Sequence, residues 1–279
     1  MLDREEYVEQ AYLYELLIER MKDSIPMQDL LDYSRMELLS TTKLPLAVSF
    51  MLDELRHFGT MSSAMKRLSH YFHPFQIYLV SEAEREAGRF DMKVAVQVLY
   101  HEAKYRSENA TPQGMFFYQF ETLCRNRLDY DRGAAAIADD PIFDETWKKW
   151  ILWMRNEIGL IDLSDLVYMR SETYALQLSE RGLAQKRKEP PLFGEKEGKI
   201  AWANRGRDPM YLFSALQRHL GYPFPPRLEK RDPKEDLLPQ MMRRLERMEM
   251  RMKLLEQENR QGIDITKFYQ QDQPAVPLE

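Results

Sequence analysis

The sequence predicts an all-α protein: a multi-helix globular body, then a basic irregular arm, then a short C-terminal coiled-coil helix. Three observations predict it. Apolar side chains recur at three- and four-residue steps through almost every segment up to residue 180, the spacing of one helix face. Asp, Ser, Thr or Pro stands where those runs begin, and Gly or Pro where many of them end. Near the end of the chain, seven residues follow the heptad alternation of a coiled coil.

Taken in order, residues 3–22 read as a helix capped by Asp3, with Tyr7, Ala11, Tyr14, Leu17, Ile18 and Met21 on one side. Ser24 and Pro26 open a second, carrying Leu30, Leu31, Met36 and Leu39. Pro45 opens a third, with Val48, Met51, Leu52 and Leu55, and Gly59 ends it. Ser62 or Ser63 is expected to cap a fourth, with Met65, Leu68 and Phe72. Pro74 breaks that helix and starts a fifth through Tyr78, Leu79 and Ala83, stopping near Gly88.

Residues 90–105 carry two patterns at once. Val94, Val96 and Val98 alternate like a strand, while Met92, Ala95, Leu99 and Ala103 keep helical spacing. Helix is preferred, because no neighbouring segment offers a pairing strand. Thr111 and Pro112 start the next helix, which carries Phe116, Phe117, Phe120, Leu123 and Leu128 and sets Cys124 beside its apolar face. A short Ala-rich helix over residues 133–138 leads into the segment most committed to an interior. There Asp144 is the N-cap, Trp147, Trp150, Ile151, Met154 and Ile158 form one face, and Gly159 is the stop. Three of the four tryptophans lie on this helix. Each buries about 150–250 Å² when enclosed, so it is the expected keel of the body. A second amphipathic run follows through Leu163, Leu166, Val167 and Arg170. Residues 29–37 and 165–172 share a short likeness, which reads as coincidence between amphipathic helices.

From Arg181 the composition changes. Residues 185–199 (QKRKEPPLFGEKEGK) are polar, basic and interrupted, which predicts a linker or extended arm. A helix resumes within residues 201–220, over about 208–220, with Asp208 as cap and Pro209 in its first turn. The expected divisions are an acidic helical body (1–180), a basic arm (181–233), a coiled-coil helix (234–260) and a flexible tail (261–279). Leu238, Met241, Leu245, Met248, Met252, Leu255 and Asn259 form the heptad seam. With Leu238 at an a position, Asn259 also falls at a, where asparagine sets register in parallel dimers. Arg244 with Glu249, and Arg251 with Glu256, are attractive g–e pairs between identical parallel chains.

The totals narrow the function classes. A chain of 279 residues, 44% hydrophobic and 30% charged, has the composition of a folded protein. Its net charge of −5 argues against a general nucleic-acid binder. The charge is uneven: residues 1–180 hold 30 acidic against 20 basic residues, and residues 181–232 hold 12 basic against 6 acidic. A single cysteine excludes an internal disulfide framework and a Cys-rich zinc module. The acidic start MLDREEYVEQ lacks a signal-peptide pattern. No apolar run approaches the roughly 20 residues a bilayer demands. The cytoplasm, with no membrane contact, is the expectation.

Four constellations of side chains bear on chemistry. His70 and His73, with His101, are the candidate metal ligands, but the chain has only one Glu-x-x-H element, Glu54 to His57, where a di-iron bundle needs two. No metal and no cofactor is therefore expected. Cys124, flanked by Arg125 and Arg127, with His101 as base, is a candidate nucleophile; a buried structural thiol is the preferred reading, and no catalytic residue is assigned. Lys186, Arg187, Lys188, Lys196, Lys199, Arg205 and Arg207 are candidate anion or nucleic-acid contacts, with Phe193 and Trp202 able to stack on bases. Interleaved Glu189, Glu195 and Glu197 weaken that field. Arg170, Ser171, Glu172 and Tyr174 read as a helix-surface network. Phosphate-loop, dinucleotide, nucleophile-elbow and zincin motifs are absent. The functional expectation is an interaction or scaffold protein with an unidentified protein partner, self-associating as a parallel dimer. A nucleic-acid-associated regulator is the alternative, and a metal- or Cys-dependent enzyme the third reading.

Overall fold

A computed structural model describes residues 2–23, 25–85, 90–182, 189–227 and 252. Among these the chain forms thirteen α-helices and no strand, which agrees with the all-α reading. In order they are α1 (Arg4–Arg20), α2 (Met27–Arg35), α3 (Leu44–Phe58), α4 (Met61–Arg67), α5 (Pro74–Ala83), α6 (Met92–Ser107) and α7 (Pro112–Asn126). Then come α8 (Tyr130–Ala138), α9 (Glu145–Glu157), α10 (Leu163–Met169), α11 (Glu172–Glu180), α12 (Glu195–Ala203) and α13 (Pro209–Leu220). Residues 90–105, which carried both patterns, are helical.

The termination signals work as their chemistry requires. Gly59 ends α3 at φ 73°, a left-handed conformation that costs a Cβ-bearing residue strain. The side chains of Asp91, Thr111 and Asp144 accept from first-turn amides of α6, α7 and α9. Two caps differ from expectation. Thr60, in extended conformation, precedes α4, and Ser62 is instead buried inside it. α8 begins at Tyr130, because the Asp129 carboxylate accepts from the amides of Asp131 and Arg132; Gly133 is interior to the helix. α5 ends at Ala83, earlier than Gly88.

The interior has two foci. In one, α1 lies along α6, the most extensive helix pairing in the fold, and buries Leu13, Tyr14 and Leu17 with Val94, Val98 and Leu99. In the other, α7 and α9 build an aromatic core. Phe116 lies 5.0 Å from Trp150 and 5.8 Å from Trp147, ring centre to ring centre. Trp153 is 43% exposed, so only two tryptophans of α9 serve as keel. At about 100° per residue, Trp153 falls outside the stripe holding Trp147, Trp150, Ile151 and Met154.

The segment expected as an extended arm supplies part of this core. Phe193 is 1% exposed and its ring centre lies 5.2 Å from both Trp147 and Trp150. Its backbone is tied in as well: the Leu192 amide donates to Arg170 O at 2.8 Å, and the Glu172 amide donates to Phe193 O at 2.9 Å. Polar sequence on either side of two apolar residues concealed this anchor. A further helix, α12, then starts at Glu195, ahead of the one expected to begin near Asp208. It packs so closely on the turn before α11 that a Cβ at Gly198 would meet Ser171 Oγ at 2.3 Å. Contacts group Met1–Leu228 into one compact unit and Glu229–Glu279 into another. Of the heptad residues, Leu238, Met241, Leu245, Met248, Leu255 and Asn259 lie outside the described residues, as does the tail over 261–279; Met252 is helical and 62% exposed.

Candidate functional site

A fully buried grouping of ionisable side chains sits where α6 meets α7 and the turn before α9. Glu102 and Arg106 stand four apart on α6, which puts them on one helix face. That face is otherwise apolar, with Ala95, Leu99 and Ala103 buried. Arg106 donates to Glu102 Oε1 at 2.7 Å through Nη2, and the same nitrogen pairs with Asp140. All three side chains are fully enclosed. Gln119, from α7, donates to Glu102 Oε1 at 3.1 Å and to Asp140 Oδ2 at 2.8 Å. The Ile142 amide donates to Asp140 Oδ1 at 3.1 Å. One guanidinium and one amide thus hold two carboxyl groups together.

The two acids differ in charge preference. Burial drives the Glu102 carboxyl upward; Arg106 offsets only part of this and the nearby Asp140 charge adds to it. Burial also opposes ionisation of Asp140, but Arg106, His73 and the Gln119 hydrogen bond outweigh it and hold its carboxyl below the usual range. The pair therefore holds a proton preferentially on Glu102, leaving Arg106 and Asp140 as the ion pair.

His73 extends the cluster toward the N-terminus. It precedes α5, where its amide donates to Gln76 Oε1 at 3.1 Å. Its ring Nε2 lies 2.8 Å from the Tyr7 hydroxyl, and that oxygen accepts from the Leu2 amide at 3.2 Å. A neutral imidazole has one donor and one acceptor nitrogen, so its tautomer sets which of the two groups donates in the Tyr7–His73 bond. Burial, with the Arg106 charge alongside, lowers the imidazole from 6.5 to about 4, against a smaller opposing pull from Asp140. Arg106 also lies over the Tyr7 ring at 5.9 Å. Carboxylates of α1 serve the neighbouring loop: Glu6 accepts from the Tyr71 hydroxyl at 2.7 Å and the Lys43 amide at 2.9 Å, and Glu9 from the Leu39 amide at 2.7 Å.

The residues singled out from sequence are distributed differently. The three histidines do not converge: His73 is buried against Tyr7, His70 is exposed, and His101 packs edge-on to Tyr100. Among the described residues, no group of three or more His, Cys, Asp or Glu has an arrangement that could hold a metal. Cys124 lies beside the Tyr130 hydroxyl, and burial pushes its thiol up to about 11. Arg125 turns instead to Glu121, with its guanidinium 4.2 Å from the Phe224 ring centre. Among the basic candidates, Lys186, Arg187 and Lys188 lie outside the described residues. Lys196, Lys199, Arg205 and Arg207 are exposed; Lys199 pairs with Glu195 and Arg205 with Asp165. Phe193, a candidate for stacking on bases, is locked in the aromatic core; Trp202 is 50% exposed with Arg205 4.3 Å from its ring centre. The cluster at residues 170–174 pins the returning chain: Ser171 is buried, and Arg170 pairs with Glu189.

A cavity of about 370 Å³ lies elsewhere, lined by Met21, Met27, Leu55, Met61, Met92 and neighbours. Its one carboxylate, Glu84, accepts from the first amides of α4, Met61 at 2.5 Å and Ser62 at 3.1 Å. The acid–base cluster and this cavity share no residue. Sequence reasoning passed over Arg106, Gln119 and Asp140. The available signal was a Glu and Arg four apart on an otherwise apolar stripe, and a Gln inside a run of buried aromatics.

No family model, curated protein or solved structure matches the chain.

Proposed function

We propose that the chain is a helical interaction or scaffold protein of the cytoplasm that self-associates through its C-terminal heptad helix as a parallel dimer. One observation carries the reading: a sustained a/d seam from Leu238 to Asn259 with an a-position asparagine and two complementary g–e charge pairs. Met252, on that seam, is helical and exposed. The body supports the same view from its chemistry. Glu102, Asp140 and His73 are enclosed and tied to neighbouring segments, while Tyr33, Met36, Leu39 and Leu46 are exposed around the α2–α3 junction. Among the described residues, no helix is long and apolar enough to cross a membrane. Sedimentation equilibrium of the full chain and of a chain ending at Lys234 tests the proposal. A dimer that becomes monomeric on truncation is the expected result; a dimer that survives truncation refutes it.

A second reading is favoured by the Trp202 platform, where an exposed indole carries the Arg205 guanidinium on its face, with Arg207 exposed two residues further along the chain. On this reading the chain engages single-stranded nucleic acid. Binding of a fluorescent oligonucleotide should weaken steeply with added salt and with Trp202→Ala. Absent or salt-insensitive binding eliminates it.

A further inference from the structure

We propose that the cavity beside α2, α3 and α4 binds a medium-chain aliphatic amine, with the chain among methionines and the ammonium group on Glu84. The cavity encloses about 370 Å³, and Met21, Met27, Met61 and Met92 line it together with Leu30 and Leu55. Leu30, Leu55 and Met61 are buried, whereas Met21, Met27 and Met92 are half-buried, so its inner wall and its rim are both apolar. Gly59 also lines it, and a Cβ there would meet nothing within 4 Å, which leaves this edge open to entry.

The lining specifies the occupant. Among the described residues, Glu84 is its single charged or polar side chain. Water is held well only where it finds several polar partners, so an apolar chain displaces water here at a gain. An apolar cavity of about 150 Å³ takes one benzene ring, so this one has room for a chain of roughly ten carbons. The described lining offers no aromatic ring to stack on a flat ligand, and unbranched thioether side chains adapt to a flexible one. Glu84 selects the head group. Its Oε1 accepts from the Met61 amide and its Oε2 from the Ser62 amide, and each carboxylate oxygen can accept once more. An ammonium group supplies those donors and the opposite charge; a fatty acid would set a second carboxylate against the first. The inference goes beyond the scaffold reading and uses no residue of the heptad seam.

The test titrates decylamine, decanol and decanoate into the full chain at pH 7 by calorimetry, below the concentrations at which they aggregate. Decylamine, protonated at this pH, should bind once per chain and about tenfold more tightly than decanol, the margin between a charged and a neutral hydrogen bond. Decanoate should bind more weakly than either. Two variants, each checked for unchanged helix content by circular dichroism, locate the site. Met27→Trp fills the cavity from a half-buried position and should abolish binding of both decylamine and decanol. Glu84→Gln keeps an acceptor for the α4 amides and should erase the preference for the amine while decanol still binds. That pattern upholds the proposal. Absence of saturable decylamine binding overturns it, as does binding that survives Met27→Trp, which would place the amine elsewhere on an acidic surface. Decanoate binding as tightly as decylamine overturns it too, because Glu84 would then not select the head group.

Discussion

Acidification should unfold this protein through His73 before its carboxylates are reached. The imidazole is neutral in the fold, with a pKa near 4 set by burial and by Arg106, against about 6.5 in an unfolded chain. Between those values the unfolded state binds the proton and the folded state does not. Stability is therefore complete above about pH 6.5 and falls as pH drops toward 4. Applied to that gap at about 1.36 kcal/mol per pH unit, the loss from pH 7 to pH 4 is about 3 kcal/mol. The groups facing the ring are the Tyr7 hydroxyl, Arg106 and Asp140. Asp140, also held low, loses its own contribution only below its ordinary carboxylate range; Glu102, held high, works in the opposite sense. His73→Asn isolates the histidine, because asparagine suits an N-cap and does not titrate. Urea unfolding at a series of pH values, for both proteins, gives the comparison. The parent should lose about 3 kcal/mol more than the variant across the window. A parent–variant difference that stays constant from pH 7 to pH 4 would refute the assignment of a buried neutral imidazole.

Three other changes probe the same architecture. Phe193→Ala should cost about 3–5 kcal/mol in urea unfolding, because it empties the space between Trp147 and Trp150; a cost near zero would mean that residues 189–193 are not part of the body. Arg106→Met should cost about 3–5 kcal/mol by leaving Asp140 without its cation, and adding Asp140→Asn should recover part of that loss in the same assay. Cys124, pushed up to about 11 from 9.0, should react with a thiol reagent at mildly alkaline pH about a hundredfold more slowly in the folded protein than in urea; equal rates would show an accessible thiolate.

Most of the helices, and several of their ends, were readable in the chain because they depend on neighbours in sequence. Asp144 caps α9 through amides two and three residues on, and Gly59 ends α3 through its own φ. Side-chain spacing alone places Leu30, Leu31, Leu52 and Leu166 inward, and all four are buried. Asp129 was passed over because the Ala-rich run draws attention past the turn that starts α8. What the folded chain decided concerns residues far apart in sequence. Phe193 looks like part of a polar linker until Trp147 and Trp150 close around it. Glu102, Arg106, Gln119 and Asp140 are ordinary polar residues in the chain, and only the approach of α7 and the turn at Asp140 to α6 strips their water and sets their charges. A local pattern records a bond between near neighbours; the cost of burying a charge, and the partner that offsets it, depends on which distant segment arrives beside it.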